Sequence, residues 1–330
     1  MSKRTTLVGA ALLGIAVVFG SCGKSTDPQL PQAIPYWTRQ TSGVTKSLTS
    51  ICFNGNQFAI VGGGGGADSL IVTLTSADGV SWSSRMYQYP PVDGFNDLVW
   101  TGSAFFAANF NNTLYTSPDG VNYSVVAAYP RRGLDHVAWS GSCLVAIGDS
   151  SGTAVIDTST NGNIWSRVTT PLNYHVRGDL YCFGRMTMIS ENGTDSSRLW
   201  ISDDMRTWSS RFLDDWIMDM GWSGSEFLAL GINAAYTSAD GVTWVKVTLP
   251  NQPATNSLPE GEYGAVLWAN GQWIATGSYV TATSVNSVDW VLKPRVEKGD
   301  QGVYIWDLAA GKGKIVGIGG RGEIFTAPLP

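Results

Sequence analysis

The segment Ser76-Ala77-Asp78-Gly79-Val80-Ser81-Trp82 returns almost unchanged as Ser238-Ala239-Asp240-Gly241-Val242-Thr243-Trp244. Weaker copies occupy residues 117–123, 159–165, 202–208 and 284–290. The aromatic residue that ends each copy recurs at positions 82, 123, 165, 208, 244 and 290, at intervals of 41, 42, 43, 36 and 46 residues. A period near 40 residues, built from short β-prone runs, is typical of a β-propeller or another repeat array.

Each copy belongs to a longer unit of four short β-prone runs separated by turn residues, as in residues 217–247. Such a unit predicts a four-stranded antiparallel meander. The unit starts near Leu48, Phe95, Leu134, Asp179, Ile217, Tyr263 and Val303. A glycine stands in the first turn of every unit, where a tight hairpin needs a positive φ: Gly55, Gly102, Gly141, Gly184, Gly224, Gly271 and Gly311.

The seventh unit ends at residues 324–330 without a fourth strand or a motif tryptophan. The segment Pro35–Gln40, which contains Trp37, precedes the first complete unit and can supply the missing strand. Such an exchange closes the ring and leaves no unpaired blade edge. The sequence therefore predicts an all-β, seven-bladed β-propeller of four-stranded antiparallel blades, closed by an N-terminal strand that completes the last blade.

The repeated motif has a structural explanation. Serine and aspartate side chains bond backbone groups in tight turns, glycine takes the strained backbone position, and the aromatic ring packs between blades. The motif residues are therefore predicted to be structural and not catalytic. They are Trp37, Asp78, Trp82, Asp119, Tyr123, Trp165, Trp208, Asp240, Trp244 and Trp290.

The first residues form a targeting segment. Lys3 and Arg4 precede an apolar run, Leu7–Phe19, and small residues then lead to Cys22. This pattern is typical of a secretory signal, and the small residues before Cys22 indicate a bacterial lipoprotein; an ordinary signal peptide is the alternative. We expect a signal peptide at residues 1–21, a flexible tether at 22–34 and the propeller at 35–330, lipid-anchored at Cys22 in the cell envelope outside the cytoplasm.

Composition limits the classes of partner. The chain has 21 Lys and Arg against 26 Asp and Glu, so its net charge of −5 gives no reason to expect nucleic-acid binding. Cys52, Cys143 and Cys182 lie in apolar runs and match no metal-site spacing, so we expect buried thiols and no metal; at most one disulfide can form among them. No cofactor motif is present, because the glycine run at residues 62–66 lacks the features of a phosphate loop.

The Ser-x-Asp-Gly-x-x-Trp motif, with Trp-x-Gly upstream, resembles the Asp-box of the BNR/sialidase-like propellers. Its shortened form is closer to secreted bacterial propellers related to photosystem II assembly factors and exo-sialidase-like proteins. The resemblance covers roughly residues 35–330. It implies the propeller fold, but proteins that share this repeat differ in activity.

Loop lengths distinguish the two faces of the predicted ring. The motif turns are uniformly short, whereas the opposite face, here called the long-loop face, carries the variable connections. Variable loops on a rigid scaffold are common binding sites, so we expect a partner protein, peptide or glycan to bind there. The candidate ligand-binding residues are Tyr87, Tyr89, Tyr129, Arg131, Arg132, Tyr174, His175, Arg177, Trp216, Glu262, Tyr263 and Arg295.

Aspartates also recur near the start of the first strand, at positions 97, 135, 179, 219 and 307. Two interpretations stay open: a ring of carboxylates that binds a cation or polar ligand, or acceptors of backbone hydrogen bonds at the strand start.

Three classes of function remain. A binding module is favoured; a sialidase-like hydrolase and a structural assembly factor of an envelope complex are the alternatives. Resemblance to sialidases implies an arginine cluster, a tyrosine nucleophile and an acid, but no family motif places Tyr263 or Glu262 in those roles. No catalytic residue is therefore assigned.

Overall fold

The computed structural model describes residues 37–64, 70–87, 94–109, 111–127, 129, 134–150, 153–172, 179–193, 196–250, 263–277, 280–294 and 304–329. Its strands form seven four-stranded antiparallel sheets, numbered here as blades 1–7. This architecture confirms the predicted fold class. Among the described residues, no helix has the length and apolar character needed to cross a membrane.

In six blades the four strands follow one another along the chain. Blade 1 consists of β2 (Leu48–Phe53), β3 (Phe58–Gly64), β4 (Leu70–Ser76) and β5 (Ser83–Tyr87). Blade 2 consists of β6 (Phe95–Trp100), β7 (Phe105–Asn109), β8 (Leu114–Ser117) and β9 (Ser124–Val125). Blade 3 consists of β10 (His136–Trp139), β11 (Leu144–Ser150), β12 (Thr153–Ser159) and β13 (Ser166–Val168).

The remaining consecutive blades have the same order. Blade 4 consists of β14 (Leu180–Phe183), β15 (Met186–Asn192), β16 (Ser197–Ser202) and β17 (Ser209–Leu213). Blade 5 consists of β18 (Ile217–Trp222), β19 (Phe227–Gly231), β20 (Ala234–Ser238) and β21 (Val245–Thr248). Blade 6 consists of β22 (Tyr263–Ala269), β23 (Gln272–Gly277), β24 (Val280–Ser284) and β25 (Val291–Pro294).

Blade 7 joins the two ends of the propeller. Its strands are β26 (Asp307–Gly311), β27 (Lys314–Ile318), β28 (Ile324–Pro328) and the N-terminal β1 (Thr38–Gln40). Thr38 pairs with Thr326 and Gln40 with Ile324, so β1 is the outer strand of the last blade. The displaced motif tryptophan, Trp37, is buried and donates its indole N–H to the Thr281 hydroxyl of blade 6 at 2.8 Å. The predicted closure is confirmed.

The first strands of the blades lie around the centre of the ring, because neighbouring first strands contact one another. For example, β2 contacts both β6 and β26. Because each blade is an antiparallel meander, the turns between its first and second strands and between its third and fourth strands lie on one face, here called the motif face. β1 runs antiparallel to β28, so the chain enters β1 from this motif face.

Apolar side chains are buried in the seams between adjacent blades. One seam combines Val61 and Ile71 of blade 1 with Leu98 and Phe105 of blade 2. The motif turns are built as predicted: the Oδ1 atom of Asp78 accepts the amides of Val80 and Ser81, each at 2.8 Å, and Gly79 has a φ of 75°. In this turn the motif residues therefore hold the backbone.

The aspartates near the start of the first strand link neighbouring blades. Asp97 accepts the Val137 amide of blade 3, Asp219 that of Val266 and Asp307 that of Ile51, at 2.7–2.9 Å. Each carboxylate also accepts the amide of the residue after it. The backbone-acceptor interpretation is therefore correct at these three positions.

The strand register corrects the prediction for blade 3. Asp97 pairs with Ala108 in blade 2, and the matching pair in blade 3 is His136 with Ile147, so His136 and not Asp135 occupies this position. Asp135 instead bonds through its backbone, to Ile147 and to the Asn96 side chain.

Cys52, Cys143 and Cys182 are free thiols. Cys52 is buried, whereas Cys143 and Cys182 are half-buried, so burial is complete at Cys52 alone.

Candidate functional site

A cavity of about 840 Å³ lies at the centre of the motif face. The turns between the first and second strands of blades 1–4 line it with Asn54, Thr101, Ser140 and Gly184. Blade 5 adds Trp222 and its motif turn, including Asp240. Because turns of five blades contribute, the cavity is at the mouth of the central channel; we call it the mouth cavity. Its volume is within the range of small-ligand and peptide-anchor pockets.

Aromatic side chains form much of the wall of the mouth cavity. Trp100, Trp139, Phe183 and Trp222 each end or nearly end a first strand, and all four are half-buried. Two of them pack on the ring across the turn: the ring centroids are 4.6 Å apart for Trp100 and Phe105, and 4.0 Å for Trp222 and Phe227. This packing fixes the rings while part of each remains accessible, which suits binding by apolar contact and stacking.

Two charged side chains line the mouth cavity without a structural partner. Arg185 lies in the turn between the first and second strands of blade 4, and Asp203 lies in the motif turn of the same blade; both are exposed. Neither forms a hydrogen bond or ion pair with another described residue, including each other. The first turns of blades 2 and 3 contain no charged residue, and the residue matching Asp203 is uncharged in the other five copies. Blade 4 therefore adds to the cavity one cation and one anion that the repeat does not need.

The Asp240 carboxylate in the cavity wall is already engaged. Its Oδ1 atom accepts the Thr243 and Val242 amides at 2.7 and 2.8 Å, and its Oδ2 atom accepts the Thr243 hydroxyl. These bonds, the Thr243 amide first, hold the pKa of Asp240 well below its usual range. Asp240 therefore adds fixed negative charge to the wall, but its acceptor sites are largely used.

Most of the predicted ligand-binding residues lie outside the described part of the chain, so their convergence on one site stays a prediction. They are Tyr89, Arg131, Arg132, Tyr174, His175, Arg177, Glu262 and Arg295.

The four described candidates do not form one surface. Tyr129 is 3 % exposed and packs edge-on against Trp165, and Tyr263 is 2 % exposed and donates its hydroxyl to the Pro250 carbonyl. Tyr87 is half-buried against the seam of blades 1 and 2, with the Arg85 guanidinium over its ring. Burial raises the pKa of the Tyr87, Tyr129 and Tyr263 hydroxyls well above the usual value. Tyr129 and Tyr263 are therefore buried in this structure, and their ligand-binding role stays a prediction.

Trp216 is the one described candidate with an exposed ring, at 40 %. Its backbone is held in place by Asp215, which accepts the amides of Trp216, Asn233 and Ala234. A contact role for Trp216 on the long-loop face therefore stays a prediction.

The mouth cavity was not anticipated from the sequence, which assigned recognition to the opposite face. A signal was present: an aromatic residue stands at the end of the first strand in most units, at positions 53, 100, 139, 183, 222 and 268. In the sequence this pattern is typical of a seam residue, and its exposure follows from the closed ring.

A second polar cluster lies near the starts of the first strands of blades 2, 3 and 4. The Nδ1 atom of His136 is 3.6 Å from Asp179 and 3.9 Å from Asp97, and the Tyr181 hydroxyl donates to Asp179 at 3.2 Å. His136 is 8 % exposed. Within the described ranges, no group of three or more His, Cys, Asp or Glu side chains is arranged to hold a metal ion. The cluster links blades 2, 3 and 4.

Comparisons with solved structures support the fold. The chain is similar to YCF48 bound to D1 peptide, with a TM-score of 0.69 and 12 % identity, covering 90 % of this chain and 98 % of that one. It is also similar to a catalytically inactive variant of virginiamycin B lyase from Staphylococcus aureus with quinupristin, with a TM-score of 0.66 and 9 % identity over 89 % and 99 % of the two chains. At these identities the likeness shows the propeller fold and no activity.

A third similar structure is the WD40 β-propeller domain of Doa1, with a TM-score of 0.62 and 10 % identity over 89 % and 97 % of the two chains. No protein-family model matches the chain, and no curated protein matches it either.

Proposed function

We propose that this protein is a non-catalytic binding module of the bacterial cell envelope that takes a polypeptide segment of a partner protein into the mouth cavity. The observation that carries the proposal is the wall of half-exposed aromatic rings, to which blade 4 adds the unpartnered Arg185 and Asp203. Fixed aromatic rings with a few convergent polar groups are typical of sites that bind by contact. A free guanidinium and a free carboxylate suit a chain that carries both donors and acceptors.

A polypeptide is favoured over a glycan by one comparison. The structurally similar YCF48 was solved with a bound peptide, which shows that a propeller of this shape accommodates one. Glycan binding, a role as an assembly factor and a sialidase-like hydrolase are the other outcomes that the experiments below distinguish.

We propose that lipid anchoring at Cys22 turns the mouth cavity toward the membrane. The supporting observation is that the described chain enters β1 from the motif face, which is also the face of the cavity. A tether of 13 residues spans at most about 43 Å when extended, which leaves room for a partner segment between bilayer and propeller. In cells, Cys22→Ala is expected to remove palmitate labelling and to move the protein out of the detergent phase. Unchanged partitioning would contradict the anchor without touching the binding proposal.

The binding proposal is tested with displayed random peptides of about twelve residues, selected on the detergent-solubilised full chain. We expect peptides that bind the wild type and lose about 30-fold in affinity on Trp222→Ala, as is usual for a central aromatic contact. Trp268→Ala is the matched control, because Trp268 is the penultimate residue of the first strand of blade 6 and packs on Trp273 but is not among the residues that line the cavity. Thermal unfolding of both variants checks that the fold is retained.

Equal effects of Trp222→Ala and Trp268→Ala would reject the mouth cavity as the binding site. Failure to select any peptide, together with a specific signal on a glycan array, would replace the polypeptide by a glycan. Hydrolysis of fluorogenic sialosides that disappears in Tyr263→Phe would establish the hydrolase alternative.

A further inference from the structure

A second cavity, of about 510 Å³, lies on the motif face between blades 2 and 3. Its lining shares Thr101 and Trp139 with that of the mouth cavity, so the two adjoin. Together they extend from the channel mouth outward along the seam. We call the second cavity the seam groove.

Among the described residues that line it, the seam groove has no charged side chain. Its lining combines polar and apolar residues. Phe106 and Leu144 are buried and Val125 is half-buried, whereas Asn161 and Asn163 in the motif turn of blade 3 are exposed. A charged group that entered it would lose water without gaining an opposite charge. The seam groove therefore differs from the mouth cavity, which contains Arg185 and Asp203.

The motif turn of blade 3 lacks the aspartate that most copies of the repeat carry. Asn161 stands where blades 1, 2, 4 and 5 have aspartate, yet its Oδ1 atom accepts the Asn163 and Ile164 amides at 2.8 and 2.9 Å as an aspartate does. The turn geometry is thus kept while one negative charge is absent.

The same turn also presents an apolar side chain. The residue before the motif aromatic is polar or charged in the other five copies, but in blade 3 it is Ile164, which is 72 % exposed. An exposed isoleucine beside an uncharged groove has no structural role in the turn, because the backbone bonds do not involve its side chain.

We infer that the seam groove is a second subsite that takes an uncharged stretch of the same polypeptide that is anchored in the mouth cavity. This inference rests on the proposed function. The shared Trp139 makes the two subsites continuous. The difference in charge between them sets the charge pattern of the ligand: charged groups at the mouth, and uncharged residues along the seam of blades 2 and 3.

Asn161→Asp tests the subsite by restoring the repeat carboxylate. The change keeps the turn bonds, which Asp119 makes in blade 2, and adds a negative charge beside the groove. For peptides selected on the wild type we expect a loss of affinity of at least about tenfold. Asn286→Asp is the matched control, because Asn286 fills the same motif position in blade 6, away from both cavities. The affinity of this variant for the selected peptides is expected to stay within about twofold of the wild-type value.

A second selection gives an independent readout. Peptides selected on Asn161→Asp are expected to gain Lys or Arg in the stretch where wild-type selections are uncharged. Ile164→Thr, which installs the residue found at Thr207 and Thr243, is expected to weaken binding about threefold to tenfold.

The subsite would be overturned if Asn161→Asp and Asn286→Asp had equal effects, or if the two selections gave the same charge pattern, while Trp222→Ala still lowered the affinity about 30-fold. That result would leave the proposed function standing. Indifference of binding to Trp222→Ala would instead remove the proposed function itself.

Discussion

The motif turns of blades 1, 2 and 5 and those of blades 3 and 4 share one backbone geometry and differ in their chemistry. Asp78, Asp119 and Asp240 accept two amides of their own turns, and Asn161 and Asp204 do the same. Blade 3 nevertheless lacks the charge and exposes an isoleucine, and blade 4 adds Asp203 and Arg185. Two classes of residue can therefore be distinguished. Scaffold residues hold the turn, whereas departures, which are residues that differ from the repeat such as Ile164, Asp203 and Arg185, change the surface without altering the fold. Scaffold substitutions should therefore reduce stability, and substitutions of the departures should reduce binding.

The largest effect on stability is expected at the ring closure. Trp37→Ala removes a buried indole from the seam of blades 6 and 7 together with its bond to Thr281. Large-to-small substitutions of this kind cost about 3–5 kcal/mol, and we expect this loss in the free energy of unfolding measured by denaturant titration.

Arg39→Ala on the same strand is the control. Arg39 pairs with Glu323 at 3.3 Å, but its side chain is 55 % exposed, so the change should cost at most about 1 kcal/mol. If Trp37→Ala were as mild as Arg39→Ala, the N-terminal strand would not be a necessary part of the closed ring.

The next effect concerns the motif glycine. Gly79 has a φ of 75°, and an added Cβ atom would lie 3.1 Å from Val316 and 3.3 Å from Phe58. Gly79→Ala is expected to cost about 2–3 kcal/mol from backbone strain and crowding. Gly55→Ala isolates the strain, because Gly55 has a φ of 95° with no atom within 4 Å of the added Cβ. Equal unfolding free energies of the two variants would show that seam packing at the motif turn is loose.

The fold was predictable because its signals are local and repeated. These signals are the period of Trp82 and its counterparts, the turn glycines and the motif tryptophan Trp37 displaced to the N-terminal strand. Each follows from short-range chemistry, and together they predict the number of blades and the closure. The mouth cavity was not predictable in this way. Whether Trp100 or Trp222 is exposed depends on the arrangement of five blades around one opening, which no single repeat contains.

Two tyrosines show that burial could not be read from the sequence either. Tyr129 and Tyr263 lie in or beside connections, which usually run over the surface, but both rings enter blade seams. Connection residues that follow a short outer strand can fill the seam beside it, and the two-residue β9 precedes Tyr129. Charge departures such as Arg185 were visible in the sequence, but their meaning required the position of the turn.

A pH-dependent effect of intermediate size distinguishes aspartate turns from asparagine turns. Amide bonds from Ser81 and then Val80 lower the pKa of Asp78 to about 2, and those from Thr207 and then Arg206 lower that of Asp204 to about 2. A lowered folded-state pKa stabilises the fold above the ordinary value near 4, and this contribution is lost as the pH falls toward 2. Asp78→Asn combined with Asp204→Asn should therefore make the drop in the thermal midpoint between about pH 5 and about pH 2 smaller than in the wild type.

Asn161 and Asn286 already show that asparagine makes the same turn bonds, so the double variant should keep its fold at neutral pH. Asp203→Asn serves as the control, since that carboxylate accepts no bond from its turn. An unchanged acid transition in the double variant would mean that the motif carboxylates do not set the acid limit of stability.

The smallest effect on stability is expected at the departures Arg185 and Ile164. These two residues give the sharpest test of whether residues that hold the turns can be distinguished from residues that bind the ligand. Arg185→Ala and Ile164→Thr alter exposed side chains without structural hydrogen bonds, so each should change the free energy of unfolding by no more than about 0.5 kcal/mol. The same two variants should weaken binding of peptides selected on the wild type. Because stability and binding are measured on one protein, a loss of stability comparable with that of Gly79→Ala would place Arg185 or Ile164 in the scaffold. Full stability with weakened binding would assign the mouth cavity and the seam groove to recognition.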